Sequence, residues 1–274
     1  MKIMNSIEGP GILKRNTLSV LMVIMAMLLL SGCPSPQHEA HLNRGNAFLS
    51  QGRYDNAIVE YTKAIEINPM LAEAYNNRGR AYRAKGHYDR AISDYTKAVE
   101  IDPQYARAYY NRGVTYSEEK GRYDEAISDF TRAIELDPAF AMAYNNRGGA
   151  HKRKGRYDQA ISDYTKAIAL NPELVMAYNN RAVAYAEGKG QYDEAISDCT
   201  KAIELDPQFV MAYNNRGLAY QAEGRYDEAI SDFTRAIEID PFDPIAYNYR
   251  GLAYQAKGQY DEAVSDYNKA VELK

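Results

Sequence analysis

Tryptophan is absent from this 274-residue chain, cysteine occurs twice and histidine four times. Two cysteines cannot build a disulfide framework or a thiolate zinc cluster. His38, His41, His87 and His151 are scattered; His38 and His41 stand three apart, with no Cys or third ligand nearby, so no metal site is expected. No serine–histidine–acid constellation and no phosphate-binding glycine loop stands out, so neither an enzyme nor a cofactor is expected. A basic excess is also lacking: 33 Lys and Arg face 37 Asp and Glu, a net charge of −4. Nucleic-acid binding needs clustered positive charge, and that class is set aside.

Only one long uncharged apolar run occurs, Leu18–Leu30 (LSVLMVIMAMLLL). It follows a start carrying Lys2, Lys14 and Arg15 with one acid, Glu8, and precedes Ser31-Gly32-Cys33. A helix of this length rises about 20 Å, short of a roughly 30 Å hydrocarbon core. A basic start, a short apolar stretch and small residues before a cleavage point read as a secretory signal. Leu30-Ser31-Gly32-Cys33 resembles a bacterial lipobox. The resemblance implies removal of residues 1–32 and a lipidated Cys33, with residues 33–37 a short proline-rich tether and the net charge falling to −6. Several acyl chains anchor stably where one is marginal. Pro34 stands where lipoproteins retained in the inner membrane typically carry Asp, so the expected location is the outer membrane, facing the periplasm.

What the chain holds in excess is tyrosine, 25 residues, arranged by a repeat. Units begin at 38, 72, 106, 141, 175, 210 and 244, spanning 38–71, 72–105, 106–140, 141–174, 175–209, 210–243 and 244–274, the last truncated. Such a period marks a solenoid. Within Ala212–Asp243, Ala212, Tyr213, Gly217, Ala219 and Tyr220 share one helical stripe, and Gly224 allows a reversal. Asp227 is placed to cap a second helix with Ala229, Ile230, Phe233, Ala236 and Ile237 on its stripe, and Asp240-Pro241 ends it. Neither helix is long enough to stand alone, so stability comes from stacking neighbours. The unit resembles the tetratricopeptide repeat. That implies an all-α, right-handed superhelical solenoid of seven helix-turn-helix units, the tyrosines that recur once per unit serving mainly as packing.

Arg44, Arg78, Arg112, Arg147, Arg181, Arg216 and Arg250 recur with matching acids Glu60, Asp94, Asp129, Asp163, Asp198, Asp232 and Asp266. Equal counts point to a structural ion-pair ladder. In the family, first helices line a concave groove that receives peptides or partner helices. The resemblance places Asn77, Asn111, Asn146, Asn180 and Asn215 where a groove asparagine meets a peptide backbone, with Asn179 and Asn214 beside them. Arg80, Arg83, Arg107 and Lys152 give a basic zone, and Met176, Met211 and Leu218 an apolar zone. A partner segment with an acidic part and a hydrophobic part is expected, drawn from envelope proteins, with the chain acting as a scaffold. The alternatives are self-association through the uncapped last repeat, where Val264, Tyr267 and Val271 leave apolar surface, or a role in assembling a secretion or pilus machine. Cys199 stands where six other units carry Tyr or Phe, and the fifth repeat is expected to be the weak point. The third and fifth repeats each hold one extra residue in the inter-helix turn, expected to make both turns protrude.

Overall fold

A computed structural model of the chain describes residues 36–118 and 121–273. The signal segment, Cys33 and the extra residue of the third repeat lie outside the described residues. Among those described there are fourteen helices and no strand. They are α1 (Pro36–Ser50), α2 (Tyr54–Ile67), α3 (Ala72–Ala84), α4 (Tyr88–Ile101), α5 (Ala106–Glu118), α6 (Tyr123–Leu136), α7 (Ala141–Arg153), α8 (Tyr157–Leu170), α9 (Val175–Lys189), α10 (Tyr192–Leu205), α11 (Val210–Ala222), α12 (Tyr226–Ile239), α13 (Pro244–Ala256) and α14 (Tyr260–Glu272). Pro36 and Gln37, expected in the tether, form the first turn of α1, where proline loses no helical hydrogen bond.

Each repeat is one antiparallel pair, and its boundaries follow local chemistry. A glycine at positive φ reverses the chain between the helices, as Gly86 (φ 73°) does after α3. The residue before each inter-repeat proline is driven extended, as at Asn68 (φ −131°, ψ 92°), and the second helix stops there. Asp227 does not cap α12 as expected. The helix starts at Tyr226 without a side-chain cap, and Asp227 in its first turn pairs instead with Lys257 of the next repeat. Lys85–Asp55, Lys154–Asp124 and Lys189–Asp158 (2.6 Å) repeat that link.

A ring laid on a glycine sets the spacing inside each pair. A Cβ built on Gly79 would lie 2.7 Å from Tyr95 Cε1, and one on Gly217 would lie 2.6 Å from Phe233 Cε1. Gly45, Gly113, Gly148 and Gly251 face Tyr61, Phe130, Tyr164 and Tyr267 in the same way. The fifth repeat changes both sides at once, setting Ala182 on α9 where the glycine stands and the buried Cys199 on α10 where the ring stands.

Successive first helices touch one another, α1 with α3 through to α11 with α13, whereas each second helix touches only first helices. A stack pinched along one side curves toward it, so the first helices occupy the concave face. The extra residue of the fifth repeat does not make a protruding turn. It lengthens α9 to 15 residues against 13 in α7, and Gly188 packs on the preceding repeat's Tyr157.

That contact leaves no room for a methyl group, since a Cβ on Gly188 would sit 2.1 Å from Tyr157 Cγ, near the root of the side chain. Gly188→Ala should therefore destabilise the chain by about 1–3 kcal/mol, the usual cost of overpacking. Gly149→Ala, whose Cβ would meet only Tyr164 Oη at 3.9 Å, should be neutral or stabilising by up to about 1 kcal/mol through helix propensity. Urea denaturation of both variants checks this pair of opposite signs.

Candidate functional site: the face of the first helices

The recurring arginines form a three-way clamp. Arg147 on α7 donates from Nε to Asp163 Oδ2 (2.9 Å) and from Nη2 to Oδ1 (2.7 Å) on α8, a bidentate pair within the repeat. Its Nη1 reaches back to Thr131 Oγ1 (3.1 Å) on α6 of the preceding repeat, and that hydroxyl donates to Ile127 O (2.7 Å). Arg78, Arg112, Arg181, Arg216 and Arg250 make the same three bonds, to Thr62, Thr96, Thr165, Thr200 and Thr234 on the threonine side. Each arginine from Arg78 onward also lies over a tyrosine ring three residues earlier, Arg78 being 5.5 Å from the Tyr75 centroid. The carboxylate hydrogen bonds, foremost among the causes, push the Arg147, Arg181, Arg216 and Arg250 guanidinium groups above their usual range. The threonine arm had no place in the sequence reading, although threonine recurs at a fixed place in six units.

The first repeat closes differently. Glu60 accepts from Lys63 Nζ (2.8 Å), pairs with His41 Nδ1 (2.7 Å) and accepts from Arg44 Nε (2.8 Å). Lys63 first, then His41 and Arg44, hold its carboxyl at about 2 against an ordinary 4.5. His41 is thereby engaged with an acid and an arginine, while His38 is buried.

The asparagines are coupled to one another. Asn111 Nδ2 donates to Asn76 Oδ1 (2.8 Å), Asn180 Nδ2 to Asn145 Oδ1 (3.1 Å) and Asn215 Nδ2 to Asn179 Oδ1 (2.8 Å), each to the repeat before. Where the third repeat has Tyr110, its hydroxyl accepts from Asn146 Nδ2 (2.9 Å); in the first, Asn46 accepts from Asn77 Nδ2 (2.9 Å). Asn214 reaches forward to Asp243 Oδ2 (3.3 Å). Asn77, Asn111, Asn179 and Asn214 are buried, and Asn146, Asn180 and Asn215 half-buried. An amide offers two hydrogens and two lone pairs, so a ladder bond uses part of its capacity.

Of the charged and apolar positions, Arg80, Arg107, Met176 and Met211 are exposed, and Arg83, Lys152 and Leu218 half-buried. Three cavities along the concave face, rather than one continuous site, take in Arg80, Arg107, Lys152 and Leu218, and Arg83 lines none of them. The first, about 310 Å³, brings together Asn77, Arg80 and Arg107 with Glu73 and Tyr105. The second, about 370 Å³, holds Asn146, Lys152, Arg153 and Asn180. The third, about 210 Å³, lies between α9, α10 and α11, where Ala182, Val183, Ala186, Leu218 and Ala219 make it mainly apolar. Met176 and Met211 stand outside all three. Sequence reasoning missed Ala182 and Ala186, which break no helical pattern and carry significance only beside Cys199.

A family described as "TPR repeat" matches residues 45–82, 79–118, 119–155 and 189–224, and tetratricopeptide-repeat families match 141–174, 163–197, 210–243 and 244–274. The chain belongs to the tetratricopeptide-repeat family. Among solved structures, this tetratricopeptide-repeat chain is similar to MamA, at 34% identity over 60% of this chain and 94% of that one, with a TM-score of 0.55. It is also similar to YrrB, described as a TPR protein with an unusual peptide-binding site, at 28% identity over 68% and 95% and a TM-score of 0.56. A tetratricopeptide-repeat protein from Parabacteroides merdae, 22% identical over 87% and 94% with a TM-score of 0.70, shares the fold. A search of curated proteins finds no significant match.

The clamp and the first-repeat acid carry separate expectations. Asp163→Ala should cost about 3–5 kcal/mol, the price of leaving Arg147 half-buried and unpaired, while Thr131→Val should cost about 1 kcal/mol. Chemical denaturation ranks the two. Because the folded Glu60 carboxyl is depressed, its stabilisation is present above 4.5 and lost as pH falls toward about 2. The stability gap between the native chain and Glu60→Gln should close over that window, as acid-titrated melts will register.

Proposed function

We propose that this tetratricopeptide-repeat protein is a lipid-anchored adaptor of the bacterial envelope, holding segments of other envelope proteins against its concave face. The observation that carries the reading is the division of that face. Its wall of paired arginines, aspartates and asparagines repeats almost unchanged, while Arg80, Arg107, Met176, Met211 and Leu218 vary from unit to unit. Invariant positions are consumed by bonds between repeats; varying ones are left to choose a partner. The basic cavity of the first three repeats suits an acidic stretch, and the apolar later repeats, with methionines at their edge, suit a hydrophobic one. Likeness to YrrB, described as having a peptide-binding site, supports a peptide ligand. Membrane attachment rests on the Leu30–Cys33 sequence, with Cys33 carrying the lipid and the outer membrane, facing the periplasm, as the place. The described residues include no helix long and apolar enough to cross a membrane.

A second reading has a specific basis. On α14, Val264 and Val271 are 56% and 70% exposed, an apolar surface that suits a second copy.

Two variants of the full chain test the adaptor. Cys33→Ser should move the protein from the membrane fraction to the soluble fraction. A quadruple variant, Arg80→Glu, Arg107→Glu, Met176→Glu and Met211→Glu, should lose the envelope proteins that cross-link to the native lipoprotein. Recovery of an unchanged set by that variant would refute groove binding, and recovery of the chain alone would favour self-association.

A further inference from the structure

The third cavity differs from its counterpart in a way that points to its occupant. It occupies the same place between the fifth and sixth repeats as the second cavity does between the third and fourth. Val183, Ala186, Asn215, Leu218 and Ala219 correspond to Val114, Ser117, Asn146, Gly149 and Ala150. In the third repeat the Phe130 ring covers the floor: a Cβ on Gly113 would meet Phe130 Cε1 at 2.9 Å and Ala126 O at 3.2 Å. In the fifth repeat no ring is there, and Ala182 and Ala195, the counterparts of Gly113 and Ala126, line the cavity directly. Both also belong to the buried cluster that contains Cys199. The smaller third cavity thus has a floor of two alanines, at the place where its counterpart's glycine and alanine lie under a ring.

We infer that this cavity is a specificity pocket for one aromatic side chain, phenylalanine or tyrosine, of a bound peptide segment, flanked by acidic residues. This rests on the groove reading of the proposed function and gives it a point of anchorage. An apolar cavity of about 150 Å³ accepts benzene, so 210 Å³ holds a phenyl ring. Charge complementarity supplies the flanks. Lys152 and Arg153 line the adjoining cavity, and Asn180, one turn from Val183 on α9, joins the two. The acid at the pocket's own edge, Glu187, lies 3.9 Å from Lys152, so with Arg153 the charged residues lining the two cavities carry one net positive charge. A ring entering here packs on Ala182, Ala195 and Leu218, and its backbone runs past Asn215 at the rim.

The test converts the fifth repeat to the sister design. In Ala182→Gly/Cys199→Phe, the ring fills the pocket and the glycine makes room for it. Cys199→Phe alone should be destabilised, because ring atoms in the sister repeats come within 2.5–2.9 Å of a Cβ at the glycine. The double variant should melt at or above the native chain, which establishes its fold. The probe is the peptide EEGFGEE, titrated into the full chain and followed by amide shifts of Ala182, Ala186 and Ala219. Saturable shifts at those residues are expected, with affinity at least tenfold weaker for EEGAGEE and for the double variant. Shifts elsewhere, no binding, or binding indifferent to either change would overturn the pocket. Self-association of the native chain that the double variant abolishes would overturn it in favour of a second copy. If the pocket fails while the quadruple variant still loses its envelope partners, the groove reading stands without it.

Discussion

The contact between an aromatic ring and the α-carbon of a glycine governs this molecule. It brings the two helices of a repeat closer than any side chain on the first helix would allow, and every later feature is built on that spacing. The arginine three residues after the packing tyrosine reaches an aspartate bidentately across that spacing. Adding bulk on the glycine side requires removing it on the ring side. The Ala182 and Cys199 pair is that trade made once, within one repeat.

Polar pairing does a different job from packing. Burial disfavours ions, and it pushes the Asp94 and Asp129 carboxyls upward while the guanidinium opposes it. Replacing such pairs by apolar residues is often neutral or stabilising, so the clamp is poorly described as a source of raw stability. Its worth lies in geometry. A guanidinium that must satisfy an aspartate in its own repeat and a threonine in the one before defines how far one unit rotates on the next. The asparagine ladder imposes the same condition on the concave side.

The fold was legible because a repeat states its pattern seven times, and glycine, proline and apolar spacing agree in each statement. Arg–Asp pairing was legible for the same reason. Thr131 and its counterparts were not, since threonine on a half-exposed helix face has many uses and its partner sits in another unit. The asparagines were assigned by resemblance to a ligand, and the structure shows them first meeting each other; a residue equally able to donate and accept suits both tasks. Asp227 illustrates a further limit. Its local sequence favours a helix cap, and Lys257, thirty residues on, claims it instead. The fifth repeat's extra residue could not be placed by counting, because a loop and a longer helix absorb it equally well until Tyr157 is seen against Gly188.

The links between repeats all run from one unit to the next and end there. A lysine at the close of a first helix finds an aspartate one unit back, an arginine finds a threonine one unit back, and an amide finds an amide one unit back. Excising an internal unit, or copying one, would therefore join ends that carry the same arginine and threonine partners. Length is a quantity that gene duplication and loss can adjust in this chain without redesigning the arginine–threonine contact. The exception is the fifth unit, whose altered pair travels with it as a cassette, so recombination can also relocate the Ala182 and Cys199 exchange along the face.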